Sequence, residues 1–192
     1  MSPTNLNNTR EEWLLKASTK LNNLFLDHGA VIPDHRVSMS WPIGNYKKVI
    51  GQYFPPSLAA DGIASVYISP SLPCSRTILE AYVHELVHAC TPGDGHGKAF
   101  GRLARSVGLI GKLTATKAGE GLALRLNAIV LEQGEIPSAQ VNYTRLTKKQ
   151  KTRLVKVKCN NCGYTCRVTN KWIVLVGTPI CRCNGAAMAE IF

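Results

Sequence analysis

Acidic side chains are scarce in this chain: 12 Asp and Glu stand against 23 Lys and Arg in 192 residues, a formal net charge of +11. That imbalance excludes a self-neutralised surface and points to a polyanionic partner. Long apolar runs are also missing. No stretch approaches the ~20 apolar residues that span a bilayer, so no membrane-spanning role is expected. The polar start Met1-Ser2-Pro3-Thr4-Asn5 shows no apolar leader, and seven cysteines in that setting read as reduced thiols of a cytoplasmic protein rather than a disulfide scaffold. No internal repeat is evident.

The few acids are unevenly placed. Residues 1–60 hold six basic and four acidic side chains, residues 61–133 seven and six, and residues 134–192 ten and two. Arg145, Lys148, Lys149, Lys151, Arg153, Lys156 and Lys158 form a run without one acid, which Arg167, Lys171 and Arg182 continue. This is the footprint of a nucleic-acid contact, although a basic solvated linker has the same composition. Trp172 and Tyr164 sit among these charges and can stack on unpaired bases or supply a small core.

Chemistry is concentrated in His84-Glu85-Leu86-Val87-His88. Ile78, Leu79, Tyr82, Val83, Leu86, Val87 and Cys90 follow the three-and-four spacing of a buried helix from Ser75 to Cys90. Ser75 or Thr77 can cap its start, Thr77 with Glu80 as a capping box. On a helix, residues four apart share a face, so both imidazoles can reach one metal ion while the Glu85 carboxylate lies beside it. Pro92 and Gly93 stop the helix, and Gly93, Gly95 and Gly97 allow a sharp return that brings His96 to the metal. Glu120 and Glu132 are the carboxylate alternatives for a third ligand, and His96 is the more economical. Three histidines leave a fourth position for water, which marks a catalytic zinc with Glu85 as general base.

Cys159-Asn160-Asn161-Cys162-Gly163 is a metal knuckle, and Cys181-Arg182-Cys183 supplies a second pair. Four thiolates make a closed, structural zinc ribbon. The second pair has one intervening residue instead of two, so either the ribbon tightens there or Cys166 replaces a member. Cys74 and Cys90 read as free thiols. Tyr164 to Ile180 reads as two short strands around Lys171.

Elsewhere, helices are expected over Glu11–His28, Lys98–Val107 and Thr116–Gln133, and strands over Val37–Trp41 and Ala64–Ser69. The organisation is a core over residues 1–136, a basic linker over 137–152 and a ribbon over 153–192, an α+β chain.

His84-Glu85-Leu86-Val87-His88 followed by Gly95-His96-Gly97-Lys98-Ala99-Phe100 resembles the SprT-like metallopeptidases, the group that includes the Spartan proteases, in their short bacterial and phage-encoded form. The resemblance runs from about the first helix to the C-terminus. It implies a zincin-like core with His84, His88 and His96 on zinc, Glu85 as base, and a zinc-bearing subdomain that contacts DNA. It further implies protein substrates on or crosslinked to DNA, and a nucleoid-associated place in a bacterial or phage-infected cytoplasm. The competing expectation is a transcription-related zinc protein that binds nucleic acid through the ribbon and carries an inactive protease-like domain.

Overall fold

The computed structural model describes residues 9–44, 48–137, 140–142 and 154–191. The chain parts into two compact units, Met1–Tyr143 and Thr144–Phe192, each a mixture of helices and small sheets, so the class is α+β. Among the described residues no helix is long and apolar enough to cross a membrane.

The first unit opens with α1 (Arg10–Leu26), started by a capping box. The Thr9 hydroxyl accepts from the Glu12 N–H at 3.1 Å, and the Glu12 carboxylate accepts from the Thr9 N–H at 3.1 Å. Trp13 is fully buried, and its Nε1–H donates to the carbonyl of Gly134 at 2.9 Å. The Gln133 amide returns a bond to the Trp13 carbonyl at 3.1 Å, tying the first helix to the end of α4 (Glu120–Gln133). Removing a fully buried tryptophan from such a site costs about 3–5 kcal/mol.

A three-stranded sheet follows. Its central strand β3 (Ala64–Ile68) pairs in parallel with β1 (His35–Met39) and antiparallel with β2 (Gly51–Phe54). Ala64, Val66 and Ile68 turn one face of β3 into the core. Against the sheet lies α2 (Ser75–Cys90), and the two bury Leu79, Tyr82, Val83, Leu86 and Val87 with the apolar stripe of α1.

The start of α2 differs from expectation. Cys74 is the N-cap, with the Thr77 hydroxyl reaching back to the Cys74 N–H at 3.4 Å. Ser75 is unavailable as a cap because its hydroxyl is turned inward, donating to Glu135 and accepting from the Ile136 N–H at 2.9 Å. Glu80 pairs with Arg76 one turn earlier at 3.2 Å.

Beyond α2 come α3 (Lys98–Ser106) and a hairpin of β4 (Leu109–Lys112) and β5 (Ala115–Ala118). The hairpin corrects the expected helix over Thr116–Gln133, whose opening residues are strand. Thr116 sits opposite Gly111, and the Gly119 N–H closes the pair onto the Gly108 carbonyl at 2.8 Å, so the helix begins only after Gly119. Residues 140–142 return onto this unit, where the Val141 N–H donates to the Pro70 carbonyl at 2.9 Å.

The second unit is a sheet of order β7-β6-β8, formed by β6 (Leu154–Lys158), β7 (Thr165–Thr169) and β8 (Ala189–Ile191). Within Tyr164–Ile180 the strand is Thr165–Thr169. Asn170–Val176 forms α5, ended by Gly177 at φ 84°. Seven residues advance about 10 Å as helix against roughly 23 Å as strand, which shortens the path back to the first cysteine pair. Val157, Met188, Cys159 and Cys181 are its buried core.

Candidate functional site

Three imidazoles converge between α2 and the loop that precedes α3. The Nε2 of His96 lies 3.2 Å from that of His84 and 3.3 Å from that of His88, and all three donor atoms fall within 4.8 Å of one another. Burial, then the neighbouring His88 and His96, hold His84 down at about 4; burial and His96 do the same to His88. Both rings are therefore neutral near pH 7, with lone pairs free for a metal ion. The group can hold one.

The return of His96 is built from a turn that sequence spacing only suggested. Gly93 and Gly95 take positive φ of 81° and 56°. Asp94 folds across the turn: its carbonyl accepts from the Gly97 N–H at 2.9 Å, and its carboxylate accepts from the Phe100 N–H at 2.8 Å. A Cβ at Gly97 would meet Asp94 oxygens at 2.7–2.8 Å, so only glycine fits there. Fully buried Phe100 packs under all three imidazoles, its centroid 5.0, 4.3 and 4.9 Å from those of His84, His88 and His96.

Outer contacts fix the rings. His84 Nδ1 is 2.8 Å from the Thr116 hydroxyl on β5. When Nδ1–H donates to that oxygen, Nε2 presents its lone pair to the group, the usual way a ligand imidazole is oriented.

Glu85 is 5% exposed and points at β2. A Cβ added at Gly51 would stand 2.5 Å from its Oε1, so the carboxylate lies where only a glycine permits. Burial pushes the Glu85 carboxyl up to about 8, against the Tyr53 N–H, which bonds the carboxylate and pulls the other way. A cation at the neighbouring imidazoles also pulls it down.

These groups open into a cleft of about 780 Å³, lined by Gly51 and Tyr53 of β2, Ala81, His84, Glu85 and His88 of α2, His96, and Thr114 to Lys117 around β5. The size is that of a ligand site. Glu132 is absent from its lining and pairs with Lys20. Glu120 is also absent from the lining, lying in the first turn of α4.

In the second unit Cys159, Cys162, Cys181 and Cys183 bring four sulfurs together, with Cys159–Cys183 and Cys162–Cys181 at 3.6 Å and Cys181–Cys183 at 3.5 Å. The tighter second pair is accommodated by Gly185, at φ 68°, whose N–H returns to the Cys181 carbonyl at 2.9 Å. Cys166 is not part of the group and lies on β7 opposite Val157. The N–H groups of Cys162 and Asn161 hold the Cys159 thiol down at about 6. For Cys181 the Cys183 N–H pulls the same way, but the surrounding sulfurs push it up to about 12, so the four do not ionise independently.

Of the basic residues, Lys156 and Lys158 are exposed on β6, and Lys156 stands directly across from exposed Arg167 on β7. Like charges directly opposed on a sheet repel, and an anion lying over them relieves that. Lys171 and Trp172 occupy α5, the ring 49% exposed and its centroid 5.3 Å from the Lys171 ammonium, so Trp172 is not a core residue. Arg145, Lys148, Lys149, Lys151 and Arg153 lie outside the described residues.

Thr116, Asp94 and Gly51 were not found by sequence reasoning. No protein-family model matches the chain, and neither a curated protein nor a solved structure is similar enough to count as a match.

Proposed function

We propose that the chain is a zinc-dependent endopeptidase of the SprT-like type, with a zincin-like core and a structural zinc ribbon, acting on proteins bound or crosslinked to DNA. The convergence of three imidazole Nε2 atoms beside a buried glutamate, at the wall of an open cleft, carries the reading. Zinc fits the spacing: Zn–N bonds of 2.0–2.1 Å in a tetrahedron separate the nitrogens by about 3.3 Å, the distances found at His96. Zn–S bonds of 2.3 Å separate sulfurs by roughly 3.8 Å, close to those in the ribbon.

When bound at the histidines, zinc supplies a Lewis acid and a water acidified to a pKa of about 7. His84, His88 and His96 would hold it, with Thr116 and Phe100 keeping the rings in place at the wall of the cleft. Glu85 would serve as the general base at its carboxylate and return the proton to the leaving amine. Burial of that carboxyl against Gly51 keeps bulk water from competing for the proton.

The DNA part rests on charge. Lys156, Lys158 and Arg167 crowd one sheet face, and residues 134–192 hold ten bases to two acids. That same asymmetry favours the second reading, a nucleic-acid-binding regulatory zinc protein with a catalytically silent first unit.

Metal analysis with Glu85→Gln separates the two. The peptidase binds two zinc ions per chain, Glu85→Gln keeps both, and it loses cleavage of a DNA-crosslinked protein by several orders of magnitude. One zinc per chain, or undiminished cleavage by Glu85→Gln, defeats the proposal.

A further inference from the structure

The cleft is chemically lopsided. Thr91, Thr114, Thr116 and Lys117 line one part of it, and Ile50, Leu72, Pro73, Thr77 and Ala81 another, with Lys48 and Gln52 beside Ile50. Thr77, Ala81 and Glu85 are spaced by four on α2, so they form one stripe on the helix surface leading away from the ligands. At 1.5 Å per residue that arm runs about 10 Å from His84 to Thr77.

Most polar groups along the arm are already engaged. The Thr77 hydroxyl already donates to the Cys74 carbonyl at 2.9 Å and meets the Cys74 N–H. Glu80, also on the wall, is engaged with Arg76 at 3.2 Å. A charged side chain entering here would lose water and, apart from the exposed Lys48, meet no unpaired counter-charge, whereas an apolar one exchanges water for Leu72, Pro73 and Ile50. Depth comes from a small residue, since Ala81 leaves space that a larger side chain would fill.

Resting on the peptidase reading, we propose that this arm is a pocket for one large aliphatic or aromatic side chain of the substrate, adjacent to the bond that is cut. The preferred cleavage sites are then segments whose apolar residue is exposed, as in unfolded or damaged protein. Access to the ion would be open to any extended chain, and the arm would choose the register.

The test uses the full-length, zinc-loaded protein and peptides of one sequence that differ only by Leu, Phe, Ala or Asp, placed on each side of the cut in turn. At one of the two positions Leu and Phe should exceed Ala and Asp in kcat/KM by about 10- to 100-fold. Ala81→Leu should reverse the order of Phe and Ala, chiefly through KM. Because Ala81 is buried, Leu72→Ala serves as a second variant and should flatten the preference by removing the wall. Binding of the same peptides, fluorescently labelled, to zinc-loaded Glu85→Gln is measured in parallel and should show the same ranking. Cleavage without a ranking overturns the pocket and leaves the peptidase standing. Ranked binding without cleavage by the parent keeps the pocket and removes the peptidase, and a flat ranking in both overturns the pocket.

Discussion

The Glu85 carboxylate has its place because residue 51 has no side chain. Gly51 does not need its glycine for backbone freedom, since its φ is not in the left-handed region; it needs it for close approach. Gly51→Ala should therefore leave both metal ions in place and lower kcat/KM by about 100-fold, the effect of moving a reacting group by ~1 Å. Because the clash is with the movable end of a side chain, the melting temperature should barely change, and circular dichroism with metal analysis checks both halves of the statement. None of this was legible in the sequence. Gly51-Gln52-Tyr53-Phe54 is four residues long and partly exposed throughout, without the alternation that announces a strand. His84, Glu85 and His88 were legible because helix spacing alone puts them on one side, and His96 because its flanking glycines make a return possible.

At the scale of elements, α2 supplies two of the three imidazoles and Glu85, a glycine turn supplies the third imidazole, and β5 holds one ring from behind. The hairpin was missed because the apolar period of α4, with Leu122, Leu126 and Ile129 buried, was extended backwards through Gly119 into Thr116. That error hid a residue of the site. Thr116→Val removes the hydroxyl that faces His84 Nδ1 while keeping the β-branched shape suited to a strand. It should weaken zinc binding at the histidines by about 10- to 100-fold, as measured by competition with a chromogenic chelator, and leave the ribbon ion untouched. Thr116→Ser should restore most of the affinity; an unchanged affinity in Thr116→Val would reduce this contact to packing. The helical α5 was missed for the opposite reason, because Trp172, Ile173, Val174 and Val176 carry strand propensity, and the chain overrides it in closing the four-cysteine group.

For the whole molecule, the two units differ in the size of their apolar cores. The first has a broad apolar core drawn from α1 to α4 and the sheet, whereas the buried core of the second, among the described residues, is Val157, Met188 and two of the cysteines. Folded pieces of about 40 residues usually require a metal or disulfides. A strong chelator should therefore abolish cleavage while the first unit stays folded, and unfold the second, with amide exchange accelerating over residues 154–191 only. Comparable protection in both units after metal removal would contradict this division. The excess of basic over acidic residues lies in 134–192, which overlaps the second unit, and the knuckle spacing pointed to Cys159, Cys162, Cys181 and Cys183, whose sulfurs lie together.

Among the described residues β2 is an edge strand of the first sheet, and this scale includes the pairing groups that such an edge presents. The Ser69 N–H donates to the Ile50 carbonyl, and the alternation of an antiparallel ladder then turns the Gly51 and Tyr53 N–H groups away from β3. The Tyr53 N–H is the one that Glu85 takes. An incoming strand and the glutamate are thus two claimants for a single donor, and whichever holds it sets the other free.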